Sequence, residues 1–383
     1  MTRRFQAIAV VALILVAAVT ANAGVSVTPY GYVKLDASFD SALTNDGNYV
    51  YYVEPYADGE EEDEFNMTAK QTRLGLKFDG GGTDDIALSG VIELDFYGGG
   101  GENKPLPVFR KAYMLMRTEH VDILAGQTSD VISPIVPTTL NYIVLWKSGN
   151  IGYRRPQIRL SKFVPVGGGS KLKFEAAATR SMGHDAGGGE AVGTPAFQGR
   201  FSYGTEIMGY PAVVGVSGLM GKEEAISSCA TACELDQSVV AVDVSLPLGD
   251  MFSVKGQYFT GKNLSNYLGA VGQGIADDGA GGLSEIEAAG WWAQLTVKPA
   301  KGWQFNVGAG SDDPEIEVSY EDGDYFDKNT TYFGNVLWTV APAAVVGVEY
   351  AMFETEYSTV LGTDITTESY ESSRVQLSFM YKF

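Results

Sequence analysis

The chain has 383 residues, a formal net charge of −20 and 45% hydrophobic side chains. An acidic balance of that size excludes nucleic acid as the expected partner, because phosphate recognition needs clustered Lys and Arg. Glycine (47 residues) and tyrosine (21) are abundant, a composition of short strands, tight turns and aromatic bands rather than of helices.

The N-terminus reads as an export signal. Arg3 and Arg4 give a positive start, Phe5 to Val19 form a short apolar run, and Ala21-Asn22-Ala23 offers the small-x-small pattern cut by signal peptidase. Residues 1–23 are expected to be a cleaved signal peptide, leaving 24–383 as one barrel domain that starts at Gly24. Losing two arginines takes the charge from −20 to −22. No other stretch reaches the ~20 apolar residues of a spanning helix. Cys229 and Cys233 are candidates for a disulfide in an oxidising compartment. No nearby His or Cys completes a metal site, and no cofactor is expected.

Alternation sets the fold class. Side chains on a strand point to opposite faces in turn, so a membrane strand reads apolar-out and polar-in. Sixteen such segments occur, near 27–40, 64–79, 85–97, 107–118, 119–127, 152–163, 170–181, 195–204, 211–221, 237–246, 251–262, 286–298, 302–311, 328–340, 343–354 and 371–383. Seven short turns rich in Gly and Pro alternate with eight longer polar segments, at 41–63, 98–106, 128–151, 182–194, 222–236, 263–285, 312–327 and 355–370. The rhythm predicts an all-β, 16-stranded antiparallel transmembrane barrel with short periplasmic turns and long extracellular loops. In the last segment Val375, Leu377, Phe379, Tyr381 and Phe383 share one face. A strand ending in phenylalanine resembles the signal read by the barrel-assembly machinery of Gram-negative outer membranes, which makes Phe383 a candidate assembly residue.

Parity assigns the lumen. Leu74, Leu76 and Phe78 outward put Arg73 and Lys77 inward, since a lipid-facing Arg or Lys at midplane costs ~2–4 kcal/mol. The same test turns Arg110, Arg155, Gln157, Arg159, Lys171, Lys173 and Arg200 inward, with Lys34, Lys255 and Arg374. Tyr113 and Leu115 are expected outward, and that register leaves Lys111 outward too, snorkelling or at a subunit contact. Inward acids are Asp36, Glu93, Asp95, Glu175, Asp243 and Glu349. Bases outnumber acids, and basic rings select anions in pores. The competing reading is that the arginines pair with these acids and stiffen the wall.

The third long loop is apolar, Val131-Ile-Ser-Pro-Ile-Val-Pro and Tyr142-Ile-Val-Leu-Trp146. It is expected to fold inward and narrow the lumen, with Asp130 as its acid. The acidic runs Asp58 to Glu64 and Asp312 to Asp327 read as a solvated rim, with divalent bridging to lipopolysaccharide as the alternative. Tyr49, Tyr51, Tyr52, Trp291, Trp303, Tyr350 and Tyr357 are expected at the headgroup level. Only His120 and His184 could serve as a catalytic histidine, and neither lies in a Ser-His-Asp pattern. An enzyme is therefore not expected. A plugged, structural or adhesive barrel tethering lipopolysaccharide is the alternative to a channel.

Six segments carry a family resemblance: Tyr30-Gly-Tyr-Val-Lys-Leu-Asp36, Gln71-Thr-Arg-Leu-Gly-Leu-Lys77, Val91-Ile-Glu-Leu-Asp-Phe-Tyr97, Arg110-Lys-Ala-Tyr113, Leu124-Ala-Gly-Gln127 and Arg155-Pro-Gln-Ile-Arg159. In this order they resemble the DcaP-like trimeric porins of Gram-negative outer membranes. The resemblance covers the first ~160 residues, and beyond them only the barrel rhythm matches. It implies an outer-membrane homotrimer among lipid and lipopolysaccharide, passing small anionic solutes such as dicarboxylates. It also implies an inward third loop facing a constriction with Arg73, Arg110, Arg155 and Arg159. Nothing between Gly24 and Thr28 could form the coiled coil that some relatives carry before the barrel.

Overall fold

The computed structural model describes residues 24–383 except 58, 60, 101–102, 186, 226–232 and 278–281. The expected signal segment and Cys229 thus lie outside the described residues, and with Cys229 the expected disulfide to Cys233. Sixteen antiparallel strands close into one barrel. They are β1 (Val25–Asp40), β2 (Glu64–Thr68 and Arg73–Gly80), β3 (Ala87–Asp95), β4 (Val108–Arg117), β5 (Asp122–Ser129), β6 (Arg154–Gly167), β7 (Ser170–Thr179) and β8 (Ala196–Ile207). There follow β9 (Tyr210–Ala225), β10 (Cys233–Leu248), β11 (Phe252–Lys262), β12 (Glu287–Val297), β13 (Trp303–Pro314), β14 (Gly323–Ala341), β15 (Ala344–Leu361) and β16 (Asp364–Lys382). β2 counts once because both its pieces pair with β1.

The barrel closes where β1 pairs with β16, from Tyr32 opposite Lys382 to Asp40 opposite Arg374. Phe383 extends this seam through two backbone hydrogen bonds with Gly31, at 3.1 and 3.2 Å. Position 31 requires glycine, because a Cβ there would stand 2.2 Å from the Arg73 carbonyl oxygen.

All sixteen expected strands are present, and their ends differ. The expected loop 355–370 is a hairpin: β15 runs to Leu361, β16 starts at Asp364, and Gly362 turns at φ +61°. Likewise β9 reaches Ala225 and β14 starts at Gly323. Above the bilayer both faces of a strand meet water. The apolar-out signal then vanishes while the hydrogen-bond ladder continues.

Inside the bilayer the alternation is regular. On β16, Val375, Leu377, Phe379 and Tyr381 are exposed outward, while Arg374, Gln376 and Ser378 are buried inward. Phe197 and Phe201 on β8 and Ile158 and Leu160 on β6 continue the apolar belt. Trp303 and Trp338 stack at 5.3 Å on the outer face. The tyrosines of the first loop are not part of a girdle. Tyr49 packs on Tyr97 at 5.5 Å and on Tyr142 at 5.9 Å, and Tyr357 donates to the Val53 carbonyl. Loop 1 folds inward, so its rings meet other loops rather than headgroups.

β4 corrects the parity reading. Glu93 on β3 opposes Lys111 while Leu94 opposes Phe109, so Arg110 is the extra residue of a bulge. The bulge turns Lys111 inward beside Glu93 and flips the parity beyond it. Tyr113 opposes Val91, which lies on the Glu93 face, so Tyr113 and Leu115 point inward as well.

Candidate functional site

The third loop runs round the inside of the barrel. Its root is a buried ion pair, Asp130 to Arg155 at 2.8 Å. Gln198 on β8 donates to Asp130 at 2.7 Å and accepts from Val131 N–H at 2.6 Å. Farther on, Gln257 on β11 holds the Ile132 carbonyl, Lys255 holds the Val136 carbonyl, and Asn335 on β14 holds the Thr138 carbonyl. Glu349 on β15 accepts from both Leu140 and Asn141 N–H, while Gln376 on β16 donates to the Leu140 carbonyl. Tyr142 then reaches Asp95 at 3.0 Å and Arg110 at 3.1 Å. Burial pushes the Tyr142 phenol up to about 12, so it stays a donor to Asp95.

Apolar packing fills the lumen on one side. Ile132 and Ile151 of loop 3 pack with inward Leu219, Val239 and Phe259 of β9 to β11, and with Leu264 and Tyr267 of the segment after β11. Val50 and Val53 of loop 1 join Leu145, Trp292, Phe333 and Phe353. This inward apolar patch receives the Val- and Ile-rich loop and was not read from the sequence. Its signal was Leu219, Val239 and Phe259 standing at lumen parity.

The charged groups concentrate on the other side, β2 to β8. At the upper level Glu93 is shared by Arg110 at 3.1 Å, Arg73 at 3.8 Å and Lys111 at 3.9 Å, and Asp95 holds Arg110 at 2.5 Å. Lys77 lies 5.0 Å from the centre of the Tyr30 ring. Lower down, Glu175 is shared by Lys173 at 2.8 Å and by Arg159 and Arg200 at 3.6 Å. Arg200 also grips Asp243 with two bonds, at 2.9 and 2.6 Å. A cavity of about 570 Å³ under loop 3 is lined by Arg159, Lys171, Lys173, Glu175 and Arg200.

The expected constriction residues therefore divide. Arg73, Arg110, Arg159 and Arg200 stand on this charged wall. Arg155 and Asp130 do not line the path: Arg155 is 1% exposed, lies 3.9 Å over the Tyr267 ring and donates to the Asn266 carbonyl. Because inward loops cover this pair, it anchors the loop. Arg374 is bound to Asp40, an inward acid the sequence reading missed, at 2.7 Å. Asp312 is fully buried rather than on the rim, and accepts from Val271 N–H. Lys111 was missed as a lumen residue. Its signal was two adjacent bases on an apolar strand, one of which must face lipid unless a bulge intervenes.

No family model and no curated protein matches the chain. Solved structures do. The outer membrane channel DcaP of Acinetobacter baumannii is similar over 94% of this chain and 98% of its own, with a TM-score of 0.77 and 21% identity. OmpT of Vibrio cholerae, in its trimer form, is similar over 94% and 99%, with a TM-score of 0.56 and 12% identity. OmpF of Salmonella typhi is similar over 94% and 99%, with a TM-score of 0.56 and 10% identity. With its closed sixteen-stranded barrel and apolar outer belt, the chain has the fold of a DcaP-like porin of the Gram-negative outer membrane.

Proposed function

We propose that this protein is a passive outer-membrane channel for small hydrophilic solutes with a preference for anions, dicarboxylates among them. The observation that carries the reading is the charge imbalance on the β2–β8 wall. Arg73, Lys77, Arg110, Lys111, Arg159, Lys171, Lys173 and Arg200 face Glu93, Asp95 and Glu175 on this wall and Asp243 on the adjoining β10. Pairing absorbs part of the basic charge and leaves an excess, and charged rings of one sign set selectivity in pores. The reading includes a homotrimer. β3 to β5 have 8–10 residues against 18–19 in β15 and β16, and a low wall is protected when a second copy covers it.

Reconstitution in a planar bilayer tests this. Conductance rising in groups of three equal steps is expected. A folded protein that inserts without conducting would overturn the channel, and single unitary steps would overturn the trimer.

A further inference from the structure

The geometry points to Lys111 as the group that selects anions in the lumen, offering its ammonium to one carboxylate- or phosphate-sized oxyanion at a time. The inference rests on the anion-channel reading and narrows it to one side chain. Its basis is the bulge at Arg110, which turns two successive bases to the same face. Without it Lys111 would lie against lipid.

Glu93 cannot neutralise its surroundings. One carboxylate receives Arg110 at 3.1 Å, Arg73 at 3.8 Å and Lys111 at 3.9 Å, and its other oxygen accepts the Tyr30 hydroxyl at 2.9 Å. Asp95 gives no relief to Lys111, because it is taken by Arg110 at 2.5 Å and by the Tyr142 hydroxyl. Two acids thus face three cations, and the surplus charge belongs to the cation held least. Arg110 has the closest contacts and a side chain 12% exposed. Arg73 is 21% exposed, with its guanidinium 5.3 Å from the centre of the Tyr32 ring. Lys111 has the longest contact to Glu93 and is 35% exposed. A lysine ammonium is a compact charge with rotatable donors. It can leave Glu93 for a passing anion and return, which satisfies the need for binding weak enough to release.

The test is the reversal potential of single channels in a potassium chloride gradient, for the wild type and for variants confirmed as folded by heat-modifiable migration. Lys111→Gln should lower the chloride-to-potassium permeability ratio about twenty-five-fold, about fivefold against chloride and as much in favour of potassium, the effect of one unit charge a few ångströms away in water. Lys111→Glu should lower it further, and Lys111→Arg should hold it near the wild-type value. Lys301→Gln, in the exposed turn between β12 and β13, should leave the ratio unchanged. If Lys111→Gln fails to fold, Lys111→Cys treated with a cationic thiol reagent should recover the ratio and an anionic reagent should not. An anion-selective wild type whose ratio is the same in Lys111→Gln overturns this inference and leaves the channel reading standing. A wild type without anion preference overturns both.

Discussion

Glu349 holds the tip of the third loop. Its carboxylate on β15 accepts the N–H groups of Leu140 and Asn141 at 2.7 and 3.0 Å, and also takes a bond from Asn335 at 2.8 Å. Glu349→Ala leaves these donors without a buried acceptor, at ~1–3 kcal/mol each. The tip should loosen, and single-channel recordings should show larger, noisier conductance with a lowered melting temperature. Conductance and noise equal to wild type would show that the tip does not narrow the path.

Arg155 and Asp130 form the root of that loop, and removal of one partner strands the other. Arg155→Ala should cost ~3–5 kcal/mol, as for other broken buried pairs. Denaturant unfolding in detergent measures this. Arg155→Lys should recover little, because the planar guanidinium also stacks at 3.9 Å on Tyr267 and donates to the Asn266 carbonyl. Full recovery by lysine would reduce the contact to simple charge pairing.

Lys171 and Arg200 line the same cavity with different attachments. Arg200 is bound to Asp243 and Glu175, whereas the Lys171 ammonium lies over the Phe163 ring, 5.4 Å from its centre. Arg200→Gln should therefore lower stability strongly. Lys171→Gln should leave the melting temperature near wild type and change anion preference far less than Lys111→Gln does. Thermal melts paired with reversal potentials separate the two, and equal melting losses would contradict the assignment.

Gly149 marks a close approach of loop and wall. It has φ +94°, and a Cβ would stand 1.9 Å from the Trp291 carbonyl oxygen. Gly149→Ala should push the loop off β12 and lower resistance of the loop to protease in the folded barrel. Unchanged protection would mean that the wall gives way instead.

The fold was legible because lipid forces a strict face assignment on every strand. Ile158 against Arg159, or Phe201 against Arg200, leaves one register. Strand ends were not legible where that constraint stops, as at the tight turn at Gly362. Lys111 was misplaced because a bulge breaks parity and leaves no mark beyond two adjacent bases. The pairing of Arg155 with Asp130 was hidden for another reason. Sequence shows which face a charge takes, and partner choice depends on loops folded in from elsewhere, here Asp130 at the root of loop 3 and Tyr267 after β11. The inward apolar patch of Leu219, Val239 and Phe259 was readable by the same parity, and it explains why loop 3 stays inside.

The central claim is that the charged half of the lumen is net positive inside an acidic protein. The reversal potential of the wild-type channel in a tenfold potassium chloride gradient tests it most directly. The account predicts a potential with the sign of chloride permeation. A potential with the sign of potassium permeation would contradict it, and would mean that the acidic loops govern the pore.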